Sequence, residues 1–500
     1  MTTKGFLVHT RLMKLKNENQ LRTLRKQNSK KKIGLCHGVF DILHNGHIEH
    51  FKNAKKKVDI LVVSITEKKY VNKGPRQPLN SNDERISVLN SIKIIDHVYL
   101  NENKDAIKVI KNLKPNYYFK GKDYLENDMH GNLKKEIDEL KKNKGQLIFT
   151  TTKLLSSTKL FNNNYKWTSE QKEVLKKISK INLNDIVKIF DSLLKREINI
   201  IGEPIIDKYE ECDILGTTTK DPAISILSKN NKAISGGVIA VAKMASTFVK
   251  KINLYTYGDP KVIKRLIYPI KNIKIISLSK NKEIQTKTRF INSNRGEKLL
   301  QITNLSKNVF TNSEINKSLN IIKKIKDNLI ICDFGVGLFE KKLLKLLNNH
   351  KVKKFINVQT NSVNYGFNLF TKFTNSFYLS LDNREWSLGL NMRDLNINTI
   401  KNKLRNIPNK SITKGQLGAT FIKKNNIINT PVFVKSVNDT TGSGDAYFIL
   451  TSLLLMENTP DILIPFIGNL YAGMHGQGLG NKNIISKEKT IQNIISIRKI

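Results

Sequence analysis

A run of twelve residues, CHGVFDILHNGH over 36–47, constrains the fold of this chain more than any other feature. Residues 33–36 can form the end of a buried strand, and Gly38 lets the backbone approach a phosphate closely. The helix that follows offers free N–H groups and a positive dipole end to an anion. His44 and His47 face the same anion, and their imidazoles can stabilise charge that develops on a nucleotide's phosphates. The pattern therefore predicts a triphosphate site at a strand-to-helix junction.

So short a motif has an alternative explanation, because two histidines near a helix start can also cap the helix or bind a metal. The flanking residues favour the nucleotide site. The segment GVFDILHNGHIEHF resembles the HIGH-type nucleotidyltransferase superfamily, and within it the cytidylyltransferase-like branch, over about residues 30 to 162. The resemblance implies a catalytic role for His44 and His47. It implies nucleotide or phosphate binding by Gly38, Val39, Phe40, Lys73 and Arg85.

Two later segments match the same family. The run YYFKGKDY over 117–124 resembles its strand-end KGxDY element, which implies that Lys120 and Asp123 hold a sugar phosphate. The run LSST over 155–158 resembles a late element in which small hydroxyl residues cap a helix and donate to a phosphate. This second resemblance implies nucleotide binding by Ser156, Ser157 and Thr158.

Length and composition limit the remaining possibilities. Five hundred residues with 39% apolar content exceed the size at which a single core stops growing, so we expect two or three domains. Cys36, Cys212 and Cys332 are scattered singly without a CxxC pair, which favours a reducing cytoplasm and argues against zinc. No apolar stretch has the length of a signal peptide or a membrane span, so we expect a soluble cytoplasmic protein without a membrane partner.

The net charge of +44 at pH 7 raises a second class of function, because a basic chain can bind nucleic acid or acidic membranes. Here the lysines are spread through both halves of the sequence, and arginine is the minority cation. We find no basic stripe with interleaved aromatic residues and no known reader module. The sequence therefore favours a compositional bias on solvated faces, with some attraction for phosphorylated substrates and no specific nucleic-acid partner.

The pattern along the chain predicts four segments. Residues 1–30 are basic with irregularly spaced leucines and predict an arm, and residues 31–162 predict the nucleotidyltransferase domain. Apolar spacing of three and four residues over 163–195 predicts linker helices. From 196 to 500 apolar strands alternate with helical segments. The predicted fold class is therefore α/β, with a Rossmann-like first domain and a doubly wound second domain.

A second motif, NDTTGSGDAYF over 438–448, has its own chemistry. Gly442, Ser443 and Gly444 gather backbone N–H groups at a helix start and can form an anion hole for a phosphoryl group, while Asp445 can accept a proton from an attacking hydroxyl. A glycine turn capped by aspartate is the structural alternative. The motif resembles the DTxGAGDxF signature of the ribokinase-like PfkB sugar kinases, over about residues 196 to 500. That resemblance implies that Asp445 is a catalytic base.

Other segments follow the order of the kinase family. The resemblance implies that the sugar is bound by Asp207, Gly236 and Gly237. It implies that Glu385, in an NxxE-like segment, organises Mg²⁺ and its water. It also places Thr413, Gly415 and Gly418 in a strand and turn that line the ATP site.

Three departures from the kinase pattern are visible. Ala240 stands where asparagine is usual, Glu203 replaces a common aspartate, and the run NVQTN over 357–361 lacks the usual Asp-Pro pair. These departures leave open the identity of the sugar. They also leave open whether the second domain is an active kinase or a sugar-binding module.

Together the two motifs resemble the family of bifunctional heptose-phosphate kinases and heptose-1-phosphate adenylyltransferases, with the two domains in the opposite order. The resemblance implies phosphorylation of a sugar or sugar phosphate by MgATP, and coupling of a sugar 1-phosphate to ATP or CTP with release of pyrophosphate. The product would be a nucleotide-activated sugar for surface glycan. The alternatives are a nucleotidyltransferase with a regulatory kinase-like domain and, more remotely, a basic nucleic-acid-associated protein. A homo-oligomer is compatible with each.

Overall fold

The computed structural model describes most of the chain, and the chain divides into two compact units. The first unit comprises residues 1–166 with 495–500, and the second comprises residues 167–494. None of the helices in the described residues is long and apolar enough to cross a membrane. The described residues are 14–15, 17–71, 78–121, 132–150, 167–294, 296–305, 310–424, 426–434, 437–482 and 484–498.

The first unit is built on a six-stranded parallel sheet in the order β1-β4-β3-β2-β5-β6. Its strands are β1 (Lys14–Leu15), β2 (Ile33–Gly38), β3 (Ile60–Thr66), β4 (His97–Asn101), β5 (Tyr117–Gly121) and β6 (Gln146–Thr150). Its helices are α1 (Glu18–Gln27), α2 (Asn45–Lys55), α3 (Asn82–Asn90), α4 (Ile107–Leu113) and α5 (Asn132–Lys142).

Both faces of this sheet are covered, which explains why β2 and β3 read as continuous apolar runs. Successive side chains alternate between the faces. Val62 and Tyr118 therefore lie in one apolar cluster, while Val63 and Phe119 lie in the other. With both faces buried, polar chemistry is confined to the ends of the strands, where His44 and His47 follow β2.

The second unit contains most of the remaining elements. Its first helices are α6 (Ser169–Ser179), α7 (Leu183–Leu193), α8 (Gly237–Ala245), α9 (Pro260–Ile267), α10 (Asn312–Ile322) and α11 (Lys341–Asn349). Further helices are α12 (Asn383–Leu390), α13 (Ile397–Lys403), α14 (Ser443–Leu455) and α15 (Leu463–His475), and α16 (Lys487–Arg498) ends the described chain. Short 3-10 turns span Phe370–Lys372, Gly415–Leu417 and Gly480–Lys482.

Two sheets form the frame of the second unit. The large sheet has nine strands in the order β11-β10-β7-β14-β15-β16-β17-β18-β19 and is parallel from β11 to β17. These strands are β7 (Glu197–Gly202), β10 (Lys251–Tyr257), β11 (Ile273–Ser279), β14 (Leu329–Asp333), β15 (Lys354–Val358), β16 (Tyr378–Asp382), β17 (Asn409–Thr413), β18 (Ala419–Lys423) and β19 (Asn426–Thr430). The predicted α/β class is confirmed for both units.

A four-stranded sheet, which we call the small sheet, has the order β13-β12-β8-β9. Its strands are β8 (Pro204–Thr217), β9 (Ile224–Gly236), β12 (Gln285–Asn292) and β13 (Lys298–Asn304). The chain passes from β7 of the large sheet into β8 through Glu203. Gly236 and Gly237, where β9 leads into α8, pair with Ile205 and Pro204 at the start of β8. They therefore lie where the chain passes from the large sheet into the small one.

Trp386 anchors the helix that follows β16. Its side chain is fully buried, its indole Nε1 donates to the Ser411 carbonyl at 2.9 Å, and its ring lies 4.9 Å from that of Phe370. We expect Trp386→Ala to lower the free energy of unfolding by about 3 to 5 kcal/mol, because it leaves a large cavity. Urea unfolding measures this change. Phe367→Ala, which removes a 92% exposed ring, is the control and should change stability by less than about 0.5 kcal/mol. Equal losses of stability in the two variants would contradict the anchoring role of Trp386.

Candidate active sites

The two histidines of the first motif lie together at the start of α2. His44 occupies the N-cap position and His47 the third helical position. Their rings stack with centroids 3.9 Å apart and 24° between planes, and His47 Nδ1 accepts the backbone N–H of His44 at 3.4 Å. The ring of Phe40 meets that of His47 edge-on at 5.5 Å. The structure therefore brings both predicted histidines to one helix N-terminus.

The turn between β2 and α2 contains a residue with left-handed backbone geometry. Phe40 has φ of 45°, a left-handed conformation that is rare outside glycine. A Cβ at Gly38 would lie 3.0 Å from the Phe40 ring, so glycine at this position allows the turn to close. Asp41 holds the other side, because its carboxylate accepts the backbone N–H groups of Leu79 and Asn80 at 2.7 and 2.9 Å.

Arg85 lies beneath this turn rather than on its surface. Its side chain is almost completely buried, and its guanidinium donates to the carbonyl oxygens of Val39 at 2.8 Å and Thr66 at 2.9 Å. Burial lowers the pKa of Arg85, but a guanidinium remains charged in proteins. Arg85 therefore supports the turn that carries Gly38 and Val39, and its predicted contact with phosphate stays a prediction.

Lys120 lies near the end of β5 and forms a buried ion pair. Its Nζ lies 3.6 Å from Glu136 Oε2, and both side chains are 5% exposed. The Tyr118 hydroxyl and the Ala106 N–H also donate to the Glu136 carboxylate, at 2.9 and 2.8 Å. Burial opposes ionisation of Glu136, but Lys120 and the hydrogen bonds from Ala106 and Tyr118 together outweigh it, so the pKa of Glu136 is lowered. The sequence motif indicated Lys120, whereas Glu136 lies in a helix without any motif.

Two other histidines of this unit are neutral at physiological pH. Burial, aided by the nearby Lys120 ammonium, lowers the pKa of both His37 and His50 to about 4. His37 Nδ1 lies 3.2 Å from Ser64 Oγ, and His50 Nδ1 lies 2.6 Å from Thr150 Oγ1. These rings form part of the core, which separates them from the predicted catalytic pair.

Some of the predicted site residues lie outside the described residues. These are Lys73, Asp123, Ser156, Ser157 and Thr158.

In the second unit, a cleft of about 270 Å³ opens between the small sheet and the carboxyl ends of the large-sheet strands. It contains residues from segments that are far apart in sequence. Most of the predicted kinase residues line it: Asp207, Gly237, Glu385, Thr413, Gly442, Gly444 and Asp445. Gly236 and Ser443 are the sequence neighbours of lining residues.

The predicted anion hole coincides with the start of α14. Gly442 is the N-cap and has φ of 80°, which only glycine adopts without strain. A Cβ there would also lie 2.0 Å from Asn481 Oδ1. By contrast, a Cβ at Gly444 would meet nothing within 4 Å. The helix start leaves its first N–H groups without intrahelical partners, and these N–H groups can bind a phosphoryl oxygen.

Asp445 sits in the first turn of α14 with its carboxylate buried in the cleft. Its Oδ1 accepts Gln359 Nε2 at 2.5 Å. Burial raises the pKa of Asp445 to about 7, and nearby Asp207 adds to the rise, while Lys287 and Gln359 oppose it. A carboxylate with a pKa near neutrality can take a proton from a hydroxyl and return it.

Asp207 is held by an arginine that the sequence analysis did not identify. Arg289 donates to Asp207 Oδ1 at 2.5 Å, and both side chains are buried. Lys287 lies opposite Asp207 in the β8–β12 ladder and lines the same cleft. The two cations are separated by one residue on a strand, so they share one face of the small sheet. The alternation of cations in the run TKTR over 286–289 was the available sequence signal. It could not be distinguished from the excess of lysine throughout the chain.

Glu385 is turned toward the backbone. Its Oε1 accepts the Thr360 N–H at 3.0 Å, and its Oε2 accepts the Asp382 N–H at 2.9 Å in a capping box. Burial and the adjacent Asp382 raise the pKa of Glu385 to about 8. No group of three or more His, Cys, Asp or Glu side chains among the described residues could hold a metal ion. The predicted role of Glu385 in organising magnesium and its water stays a prediction.

A larger cleft of about 990 Å³ continues from Asp382 and Thr413. Lys414, Gly415, Arg384 and Arg393 line it, so its walls are cationic. Gly418 closes the turn after β17 with φ of 86°, and a Cβ there would lie 2.0 Å from the Thr430 carbonyl oxygen. The predicted ATP-lining turn therefore borders a cleft large enough for a nucleotide.

The departures seen in the sequence have definite structural partners. Glu203 is fully buried and accepts the N–H groups of Phe334, Val336 and Leu338 at 2.7 to 2.9 Å. Burial and the neighbouring Asp333 raise the pKa of Glu203 to about 7. Glu203 therefore shapes the loop after β14. Ala240 is buried within α8.

Comparison with known proteins bears on the first motif. Residues 35–192 match the cytidylyltransferase-like family model, which is the similarity that the motifs in this part of the chain predicted. Among curated relatives, the bifunctional protein HldE of Campylobacter concisus is 34% identical over 120 residues, which is 24% of this chain and 25% of that protein. The Helicobacter pylori (strain Shi470) HldE protein is 36% identical over 125 residues, 25% of this chain and 26% of the relative. These matches span about a quarter of each relative's length.

Solved structures match a different and longer part. A phosphofructokinase-2 variant from Escherichia coli superposes with a TM-score of 0.50 and 14% identity over 60% of this chain and 99% of its own. A ribokinase described as putative, from Agrobacterium tumefaciens, covers 60% of this chain and 98% of its own with 12% identity and a TM-score of 0.46. At such identities the likeness concerns the fold. The later part of the chain has the ribokinase-like fold that its motif predicted.

Gly236 offers a test of the geometry around Asp207. An added Cβ would lie 2.3 Å from Asp207 Oδ2, so Gly236→Ala should displace this carboxylate from Arg289 and destabilise the unit by about 1 to 3 kcal/mol. Denaturant unfolding measures the loss. Gly444→Ala is the matched control, because its Cβ would meet nothing within 4 Å in a helix, so stability should stay the same or rise by up to about 1 kcal/mol. A Gly236→Ala protein as stable as the control would contradict this packing.

Proposed function

We propose that this chain combines two transferase activities. The first unit couples a sugar 1-phosphate to a nucleoside triphosphate, ATP or CTP, and releases pyrophosphate. The second unit transfers a phosphoryl group from MgATP to a sugar or sugar phosphate. The observation that carries the proposal is the convergence in one cleft of Asp445, the helix start at Gly442–Gly444 and the Asp207–Arg289 pair. The HldE relatives are named as bifunctional proteins, which supports two activities on one chain. The resemblance of the motifs to the heptose-phosphate family makes a heptose phosphate the first substrate to try.

Nucleotidyl transfer in the first unit would be mainly electrostatic. The phosphate of the sugar attacks the α-phosphorus of the nucleotide, a P–O bond forms, and the bond to pyrophosphate breaks. During this transfer, negative charge increases on the phosphate oxygens of the nucleotide. His44 and His47 lie at the N-terminus of α2, where their ring N–H groups and the helix dipole can stabilise that charge. Arg85 keeps the turn above them closed by binding the Val39 carbonyl.

Phosphoryl transfer in the second unit would use Asp445 as the general base. The acceptor hydroxyl gives its proton to the carboxylate as its oxygen attacks the γ-phosphorus, and ADP leaves. The N–H groups at the start of α14 stabilise the phosphoryl oxygens during transfer. Asp207 can accept hydrogen bonds from sugar hydroxyls, and Lys287 adds positive charge to the same cleft. Both reactions would then occur at the carboxyl edges of their sheets.

Magnesium would reach the second unit with ATP. When bound, it offsets triphosphate charge as the phosphoryl group moves. The described residues lack a dedicated carboxylate cage, so nucleotide oxygens and water would supply most ligands, with Glu385 acting through water. The cationic wall formed by Arg384, Arg393 and Lys414 suits the nucleotide phosphates. We propose no direct magnesium ligand from the protein.

A second candidate function is a nucleotidyltransferase whose kinase-like unit only binds a sugar ligand. Gln359 favours it, because its amide already occupies one oxygen of Asp445 at 2.5 Å. In a working kinase this contact must yield to, or coexist with, the acceptor hydroxyl. The two candidates differ in one measurable property, which is formation of ADP with any acceptor.

Crossed variants separate the two activities. His47→Ala should lower pyrophosphate release by about 10² to 10³-fold while ADP formation continues, because a transition-state donor is lost only in the first unit. Asp445→Asn should do the reverse, lowering ADP formation by about 10² to 10⁴-fold while ligands still bind. Coupled assays across a panel of nucleotides and sugar phosphates measure both.

A folded His47→Ala protein with normal pyrophosphate release would refute the first site. If the wild-type protein binds a sugar phosphate but forms no more ADP than Asp445→Asn, the kinase function fails and the second unit only binds its sugar ligand.

The pH dependence of ADP formation tests the protonation of Asp445. A base with a pKa of about 7 is ionised only above that value, so kcat should rise with pH between about 6 and 8. Gln359→Leu removes a donor that favours the ionised form, so it should move this limb to higher pH. The control is Gln146→Leu, at an exposed position that begins β6 of the first unit. A limb that moves to lower pH in Gln359→Leu, or equally in the control, would contradict the assignment.

A further inference from the structure

Lys298 connects the small sheet to the kinase motif. It begins β13, the edge strand, and its Nζ donates to Asp439 Oδ1 at 2.7 Å and to Thr441 Oγ1 at 2.9 Å. Both partners belong to the run that leads into α14. No sequence motif includes Lys298, and its side chain is 41% exposed, so it could not be distinguished from other surface lysines by sequence alone.

Asp439 is the centre of this connection. Its side chain is 3% exposed. Beyond Lys298, its Oδ1 accepts the Thr441 backbone N–H at 3.0 Å and the Thr441 hydroxyl at 2.8 Å, and its Oδ2 accepts the Gly480 N–H at 3.0 Å. Burial alone would raise the pKa of Asp439, but the contacts with Lys298 and Thr441 hold the pKa below its usual range. A buried carboxylate that loses its cation becomes costly to keep in place.

The contacts of Asp439 continue to the anion hole. Gly480, which it binds, precedes Asn481, and Asn481 Oδ1 packs so closely on Gly442 that a Cβ there would lie 2.0 Å away. On the other side of the turn, the Thr440 carbonyl accepts the Ser443 N–H at 3.0 Å. The position of Asp439 therefore fixes both segments that flank the start of α14.

We propose that Lys298 is a positioning residue for phosphoryl transfer, whose ammonium group holds Asp439 and thereby the turn that presents Gly442–Gly444. The role of the turn in transfer rests on the proposed kinase function, but the contact itself does not. Lys298 would couple placement of the small sheet, which carries Asp207 and Arg289, to placement of the anion hole. Acceptor and phosphoryl sites would thus be aligned by one side chain.

The small sheet has a second attachment, which makes the variant interpretable. Tyr209, Ile234 and Ile291 form a buried apolar cluster with Leu479 packed against it. Loss of Lys298 should therefore leave the sheet folded and loosely placed rather than unfolded. Lys298→Met removes the charge and keeps the stem, while Lys298→Arg keeps a cation that can reach Asp439. Lys232→Met, an exposed lysine on β9 of the same sheet, is the matched control.

Hydrogen exchange of the full-length protein tests the contact directly. In Lys298→Met the amides of Thr441 and Gly480 should exchange about tenfold faster or more, while Lys298→Arg and Lys232→Met stay near wild type. ADP formation tests the consequence: kcat should fall about tenfold in Lys298→Met, with KM for ATP changed less than about twofold, and recover in Lys298→Arg.

The outcomes separate the contact from the proposed function. Unchanged exchange in Lys298→Met, or equal acceleration in Lys232→Met, would overturn the proposal. Faster exchange with wild-type kcat would show that Lys298 holds the turn without serving transfer, which also overturns the positioning role. If wild type forms no ADP, the proposed kinase function fails. The exchange rates alone then decide whether Lys298 holds the turn.

Discussion

Both candidate sites depend on one constraint, which is that a buried parallel sheet can offer polar groups only where its strands end. The chain must then enter a helix without blocking the helix N–H groups that an anion needs. In the first unit Phe40 adopts a left-handed conformation in the turn from β2 to α2, and in the second unit Gly442 adopts one in the loop that leads from β19 into α14. Arg85 stabilises the first turn from below, and Asp439 stabilises the second from the side. The histidines and Asp445 are placed by these turns.

Burial then sets the protonation of the groups that surround each turn. Carboxylates that are not paired with a lysine or arginine in the described structure, such as Asp445 and Glu203, have their pKa raised to about 7, because the charged form loses its hydration. Carboxylates in contact with a lysine, such as Glu136 and Asp439, are held below their usual pKa. The second group is committed to structure by its ion pairs. The first group remains able to exchange protons near neutral pH, which is a requirement for a general base.

Local motifs made much of this arrangement predictable, because the residues at each helix start are consecutive in sequence. His44, His47 and Gly442–Asp445 are examples, and the α/β class follows from the strands around them. Arg289, Lys298 and Gln359 were not predictable in the same way. They extend from β12, β13 and the end of β15, and their partners are more than 80 residues away. In a chain of net charge +44, one further lysine or arginine carries little information without its partner.

The long-range contacts also explain why composition is a poor guide to function here. Two cations, Lys287 and Arg289, line the cleft that contains Asp445, and Arg289 is paired with the buried carboxylate of Asp207. Lys298 is likewise paired with the buried Asp439 beside that cleft. Lys287 differs, because it lines the cleft together with Asp207 and Asp445 and lowers the pKa of Asp445 from there. An anionic acceptor drawn to Lys287 would shield that charge from Asp445 and leave its carboxylate a stronger base. Charge at this position would then link acceptor binding to proton transfer, whereas charge on the solvated surface would act only on the rate of encounter.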